Sequence, residues 1–276
     1  MKRNVLVLLI SCLLLSTFSF GQSYKLNFLK ALEANNMAKA EEILKAWDMA
    51  DVRDPELYVA YFNFYTVKSK GANMLFISGY DANYSKKALE FISIGIDLYP
   101  ARFDMRVAKN FMLKELNDIP AYISEVINMI AYSDQIKNNW KGEDFLSVNK
   151  AEEMFYGAVL DAQEFLFSKE NPSLFKEIIR ISDEMLKYYP AHVQSLLNKS
   201  TVYVAQKEYD KSLEALLKAV EIDPANSILL YNVASVYNLK GNKENARKYF
   251  ELTIRHIKEK EERLRDAAQR QLEALK

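Results

Sequence analysis

Cysteine, histidine, glycine and proline are all scarce in this 276-residue chain, and each scarcity removes a class of answer. One cysteine, Cys12, cannot form an intrachain disulfide. The two histidines, His192 and His256, lie far apart in the sequence, so no His/Cys spacing suits a metal. We expect neither to act as a ligand or base: His192 reads as a solvated turn residue after Pro190, and His256 as a surface helix residue. Seven glycines and six prolines are few for a turn-rich sheet protein, and no sustained Val/Ile/Thr alternation is present. No surplus of one charge exists either, with 37 basic against 37 acidic side chains, so nucleic acid is not the default partner.

Half the residues are hydrophobic, and they fall in Leu-, Ala-, Lys- and Glu-rich segments that favour helices. The first such run differs from the rest. Lys2 and Arg3 precede an almost continuously apolar stretch from Val5 to Phe20, and Ser19-Phe20-Gly21 places small residues at −3 and −1 before Gln22. That order is a signal peptide's, and the run is short for a membrane span of about 20 residues. Cleavage of residues 1–21 removes two basic and no acidic residues, leaving 35 against 37 and a formal charge of −2. The alternative is a lipoprotein: Leu9-Ile10-Ser11-Cys12 resembles a lipobox, although the apolar run continues past Cys12. The expected location is therefore exported and periplasmic, or membrane-anchored through Cys12. On the first reading the exported chain keeps no cysteine and no thiol chemistry.

Internal periodicity dominates what remains. Pro190 recurs as Pro224, Asn198 as Asn232 and Tyr203 as Tyr237, all at one and the same interval. Each unit reads as two amphipathic helices, about Gln194–Gln206 and Asp210–Glu221 in the first. In the second of these, Leu213, Leu216, Leu217 and Val220 form one apolar stripe. Asp223-Pro224 halts it, because proline restricts the residue before it and offers no N–H. Gly241 permits the tight reversal inside the next unit.

These residues resemble the tetratricopeptide repeat (TPR) family. NVASVYNLKG supplies Asn232, Val233, Ala234, Tyr237 and Gly241, and EYDKSLEALLKAVEIDP supplies Tyr209, Ser212, Leu216, Ala219 and Asp223-Pro224. Ala246, Phe250 and Thr253 repeat the second pattern. Departures are Lys199, where the family has a buried Leu, and Lys207, where it has Gly. The resemblance implies an all-α fold, a right-handed superhelical solenoid of stacked helix-turn-helix hairpins. It also implies that Tyr203, Ala219, Pro224, Tyr237, Gly241 and Ala246 are structural.

Upstream the pattern is weaker. Lys86–Pro100 reads as a second helix of a pair ending at Tyr99-Pro100, as MLKYYP ends at Pro190. Asn117-Asp118 and Asn35-Asn36 turn the chain between further pairs, and Ala40, Leu44 and Trp47 lie on an inner stripe. Asp54-Pro55-Glu56 and Asn171-Pro172 signal helix starts. The expectation is one array over 22–276 of five or six hairpins: degenerate repeats over 22–190, units at about 193–226 and 227–260, and a C-terminal capping helix to 276. Two interruptions are expected at its edges, a connection over 68–85 carrying Met74 to Ile77, and a polar turn, NNWKGEDF, around Gly142. In the tail, Ile257, Leu264, Ala268, Leu272 and Leu275 form a stripe that suits a cap or a short coiled-coil seam.

Catalytic constellations are not found. Ser147-Val148-Asn149-Lys150 has an S-x-x-K spacing without its partner elements. Glu41-Glu42 and Glu152-Glu153 are helix neighbours that diverge by about 100°, and read as solvated faces. Tyr58, Tyr61, Phe62 and Tyr65 share a helix face, as core packing or as a sugar-stacking platform. We expect no enzyme and no cofactor. The resemblance points to a concave groove lined by first helices: Gln194, Leu197, Asn198, Thr201 and Ala205 in one unit, then Ile228, Tyr231, Asn232, Ser235 and Asn238. Leu197, Ile228 and Tyr231 stand where the family's carboxylate-clamp members carry basic residues, so an acidic C-terminus is not the expected ligand. The expected role is a non-catalytic, exported scaffold that binds a protein or peptide segment in a bacterial envelope. The alternatives are a homo-oligomer associating through the C-terminal helix and a carbohydrate-associated binding protein.

Overall fold

A computed structural model describes residues 21–70, 79–142, 148–258 and 261–275. Cys12, Met74 to Ile77, Ser147 and the apolar run ending at Phe20 lie outside them. The described residues are helical, with one isolated bridge between Arg102 and Lys141. They fall into two compact units: residues 1–125 with 139–151, and residues 126–138 with 152–276.

In the first unit α1 (21–33) and α2 (Met37–Ala50) form one hairpin, α3 (Pro55–Lys70) and α4 (Ala82–Leu98) the next, and α5 (Phe103–Glu115) leads into α6 (Ile119–Gln135), whose residues from Val126 onward belong to the second unit. Ala40, Leu44 and Trp47 are fully buried in a core with Phe28, Leu57 and Phe64, as the stripe of α2 requires. Asp54 starts α3 by accepting from the Glu56 N–H at 2.9 Å.

In the second unit α7 (Val148–Ser168), a 3-10 turn (Pro172–Leu174) and α8 (Phe175–Tyr188) precede α9 (Val193–Ala205), α10 (Tyr209–Ile222), α11 (Ser227–Leu239), α12 (Lys243–His256) and α13 (Glu262–Ala274). The helices α8, α10 and α12 are equal in length, and their starts at Phe175, Tyr209 and Lys243 keep the interval of the sequence repeat.

Four of the reversals between paired helices follow one rule. Asn35, Asn117, Lys207 and Gly241 hold φ of 52°, 53°, 60° and 80°. In each turn the next residue's N–H reaches the carbonyl five back: Asn36 to Ala31, Asp118 to Leu113, Glu208 to Tyr203 and Asn242 to Tyr237. This is the Schellman closure, which uses the left-handed residue to satisfy end carbonyls of the first helix. Lys207 therefore holds the conformation for which Gly241 is suited. The stops between hairpins also share a geometry. Tyr99, Tyr189 and Asp223, each before a proline, have φ near −130°, with their N–H bonded four residues back to Gly95, Met185 and Ala219. Pro100 thus marks the same stop as Pro190 and Pro224.

Three local expectations change. Helices α3 and α4 extend into both ends of the expected 68–85 connection. Asp81 caps α4 by accepting from the Asn83 and Tyr84 N–H groups, and the buried Ser69 and Ser85 hydroxyls meet at 2.6 Å. In the described part of the expected polar turn, residues 138–142, Trp140 is buried against Phe103, 5.3 Å between rings, with the Arg106 guanidinium over it. Hydrogen bonds from Lys141 to Ala101 and from Phe103 to Lys141 hold it there. Asn171-Pro172 starts a 3-10 turn, not α8 itself, with Asn171 accepting from the Ser173 N–H.

The face of Tyr58, Tyr61, Phe62 and Tyr65 is packing. Tyr58 and Phe62 are buried, while Tyr61 and Tyr65 stack on Phe91 at 4.1 and 5.6 Å, so the rings cover one another's faces. The α13 stripe is likewise used within the chain: Ala268, Leu272 and Leu275 pack on Ala234, Ala246 and Phe250.

Two outcomes follow from these contacts. Lys207→Gly should stabilise and Gly241→Ala should destabilise, each by about 1 kcal/mol, read from urea midpoints at constant m-value. Equal signs for the two would contradict a shared left-handed turn. Truncation after Lys258 should expose the Ala234–Ala246–Phe250 surface and lower stability by roughly 3–6 kcal/mol, measured by urea unfolding with light scattering on both chains.

Candidate functional site

The second unit contains a cleft of about 740 Å³ where α8 turns into α9. Its walls come from Tyr156 of α7, Tyr188 to Val193 of the turn, Gln194 and Leu197 of α9, and Asn226 and Ile228 at the start of α11. No charged side chain lines it among the described residues. The lining is built from rings and aliphatic groups, interrupted by His192 and two amides.

The Pro190 stop creates this place. Tyr189 caps α8 and folds back into the unit, where its hydroxyl bonds Ser133 Oγ at 2.7 Å and donates to Asn138 Oδ1 at 3.1 Å. Tyr156 meets Tyr189 edge-on at 5.7 Å and lies 5.0 Å from the His192 ring. The Tyr156 hydroxyl donates to Glu152 Oε1 at 2.8 Å, so Glu152 is a bonding partner of the wall and not the solvated residue expected. Burial, then this carboxylate, pushes the Tyr156 hydroxyl up, and it stays a neutral donor.

His192 is also not the solvated turn residue expected. It sits in the N-cap position of α9, as Asn226 does for α11, and its Nδ1 pairs with Ser195 Oγ at 2.8 Å. Burial pushes its pKa down, because the cleft wall disfavours the imidazolium.

Of the expected groove residues, Gln194, Leu197 and Ile228 line the cleft, and Ile228 is 51% exposed. Asn198 is buried behind it, with its amide engaged by Gln163 and Gln194. Thr201 and Ser235 return their hydroxyls to the carbonyls of Leu197 and Tyr231 on their own helices. Tyr231 packs edge-on against Phe250 at 5.4 Å, Asn238 donates to Gln271 of α13, and Asn232 is half-buried. The structural residues behave as repeat packing: Ala219 and Ala246 are fully buried, Tyr237 stacks on Tyr249, and the Lys211 ammonium lies over the Tyr203 ring.

Tyr156, Tyr188 and His192 are additions that sequence reasoning missed. The register of the repeat was the available signal, since it aligns His192 with Asn226 at a helix cap. Lys199, the departure from a buried Leu, ion-pairs with Asp183 at 2.6 Å.

Two other clefts carry balanced charge. One of about 470 Å³ in the first unit is lined by Lys25, Arg102 and Glu56, joined by ion pairs of 2.9 and 2.6 Å. One of about 690 Å³ between α8 and α10 holds the Lys199–Asp183 and Lys218–Glu214 pairs. Among the described residues no group of three His, Cys, Asp or Glu could hold a metal, and no helix is long and apolar enough to cross a membrane.

Residues 193–226 and 228–255 match the family model of the tetratricopeptide repeat. These two units, α9 to α12, are tetratricopeptide repeats, and they span less than a quarter of the chain. No curated protein matches it. Among solved structures it is similar to the C-terminal part of a TPR repeat-containing protein from Cytophaga hutchinsonii, at 14% identity, 86% of this chain, 78% of that one and a TM-score of 0.45. It is also similar to YrrB, a TPR protein with an unusual peptide-binding site, at 14% identity, 82% and 97% coverage and a TM-score of 0.41. The TPR2AB domain of yeast Sti1, in a pHSP90 complex, gives 14%, 93%, 97% and 0.32. At these scores the structural likenesses carry no argument. Such a fold is that of a protein–protein interaction scaffold, and TPR proteins are generally non-catalytic.

One pH dependence follows from His192. Its pKa is lower folded than unfolded, so the unfolded chain binds the extra proton as pH falls through the unfolded value of about 6.5. Stability is full above that value and declines below it, down to the folded pKa. The wild-type melting temperature should therefore fall between pH 7.5 and pH 5.5 more steeply than that of His192→Asn, which supplies the cap residue of Asn226. Parallel slopes in the two proteins would remove His192 as the cause.

Proposed function

We propose that this protein is an exported, non-catalytic scaffold of a bacterial envelope that holds an extended peptide or protein segment in the α7–α9–α11 cleft. The observation that carries this reading is the uncharged lining, with Ile228 and Leu197 beside the Gln194 amide. Large apolar side chains left in a concave wall give a bound segment desolvated anchors, and the amide offers a hydrogen bond to its backbone. A preformed wall also limits the ordering cost of association. A segment carrying a bulky apolar side chain fits this lining better than an acidic terminus does, since no cation among the described residues faces the space. Export rests on the order Lys2-Arg3, Val5 to Phe20, Ser19-Phe20-Gly21, and the periplasm is the compartment it favours.

The test uses a displayed library of random dodecapeptides, panned against the purified chain. Selected peptides should be rich in Leu, Phe, Trp or Tyr, and Ile228→Lys should weaken them about tenfold or more. A photo-reactive residue at position 228 should cross-link to them. Selected peptides that bind Ile228→Lys equally well would move the site elsewhere, and an empty selection would defeat the reading. N-terminal sequencing of the periplasmic fraction should begin at Gln22. A diacylglyceryl Cys12 would favour the lipoprotein.

A further inference from the structure

Buried polar side chains in this unit are concentrated behind the cleft wall. Residues 182, 216 and 250 hold the same place in α8, α10 and α12, each one repeat beyond the last. Leu216 and Phe250 fill that place with apolar side chains that are at most 1% exposed. In α8 it is Ser182, fully buried, and the neighbouring space holds Gln163 of α7, which is 1% exposed. A buried glutamine needs partners for both ends of its amide.

Gln163 has them. Its Nε2 donates to Ser182 Oγ at 2.7 Å and to the Ile178 carbonyl at 3.3 Å, and Ser182 Oγ itself donates to that carbonyl at 3.0 Å. Its Oε1 accepts from Asn198 Nδ2 at 2.6 Å, and Asn198 Oδ1 accepts from Gln194 Nε2 at 3.0 Å. Gln194 lines the cleft.

This relay of amides has a direction, and one backbone atom sets it. A carbonyl only accepts, so the Ile178 carbonyl requires Gln163 to turn its NH₂ inward. That leaves Oε1 toward α9, which requires Asn198 to present its NH₂, and then leaves Oδ1 for the Gln194 NH₂. Gln194 Oε1 has no partner among the described residues and is the acceptor the wall offers. Reversing any one amide would place two donors or two acceptors face to face. We infer that Gln163 is a positioning residue for the cleft: buried and out of reach of any ligand, it fixes the orientation of Asn198 and Gln194. The wall therefore offers a carbonyl oxygen at Gln194 to a hydrogen-bond donor of the bound segment. The inference rests on the peptide-groove reading for its consequence, but not for its geometry.

The experiment separates the two. In the unaltered purified chain, the side-chain NH₂ protons of Gln163 and Asn198 should exchange with water at least about tenfold more slowly than those of exposed Gln206. In Gln163→Met, which nearly keeps the volume, the helical circular dichroism should persist. The Asn198 and Gln194 side-chain NH₂ resonances should both move. A library-selected peptide should then bind about tenfold more weakly to Gln163→Met than to wild type, while the distant surface change Glu251→Gln leaves binding unchanged. Fast exchange in the wild type overturns the inference even if the variant fails to fold. Unmoved Gln194 resonances, or undiminished peptide binding to a folded Gln163→Met, also overturn it. A library without binders defeats the groove reading instead, and the exchange rates and resonances still decide the role of Gln163.

Discussion

A single left-handed residue at four helix reversals is the constraint on which those hairpins depend. The first helix of a pair ends with carbonyls that have no partner in the helix itself. Residues 35, 117, 207 and 241 turn the chain so that the following N–H groups reach those carbonyls, and the next residue starts or caps the second helix. The turn is short and its path is fixed, so the apolar stripes of the two helices meet at a set height. The proline stops act in the complementary place, between hairpins: Tyr99, Tyr189 and Asp223 end their helices in one conformation. Together the two devices set the period of the repeat, and side-chain packing inherits it.

Period alone does not determine what fills each place. Through α10 and α11 the register is filled apolarly, with Leu213, Leu216, Val233 and Val236 in one cluster. One hairpin earlier, the places of Leu216, Leu217 and Val233 hold Ser182, Asp183 and Lys199. Each substitution brings its own partner, Gln163 for the serine and an ion pair for the other two. A satisfied buried network contributes less net stability than it contributes orientation, because the same groups bond to water in the unfolded chain. The polar places are therefore best understood through what they orient, and they lie behind and beside the cleft.

How much of this was legible in the sequence depended on whether a feature is local or assembled. Asn35, Asn117 and Gly241 announce turns by their own conformational preferences, and Pro190 and Pro224 announce stops, so hairpin limits could be read closely. Tyr99-Pro100 was legible for the same reason, even where the repeat had faded. Trp140 and His192 were not. Each stands in a polar or turn-like stretch, and its burial comes from side chains distant in sequence: Phe103 and Arg106 for the tryptophan, Tyr156 for the histidine. The expected groove met the same limit. Gln194, Leu197 and Ile228 followed from helix position, while the aromatic wall from α7 and the α8 turn did not, because α7 lies outside the matched units.

The place of the cleft follows from a break in register. The interval from the end of α7 at Ser168 to the end of α9 at Ala205 is longer than that from the start of α8, Phe175, to the start of α10, Tyr209. The extra length is absorbed on the α8 side of the turn after α7, where the Pro172–Leu174 turn stands ahead of α8. With its own spacing, α7 does not repeat the side chains that α9 presents to α11. Tyr156 and Gln163 are the result, an aromatic face against His192 and an amide against Asn198. A strictly regular repeat would present the same wall at every step and could not single out one position for a ligand. The irregular hairpin beside two regular ones supplies that asymmetry, and it does so where the register-equivalent residues change from apolar to polar.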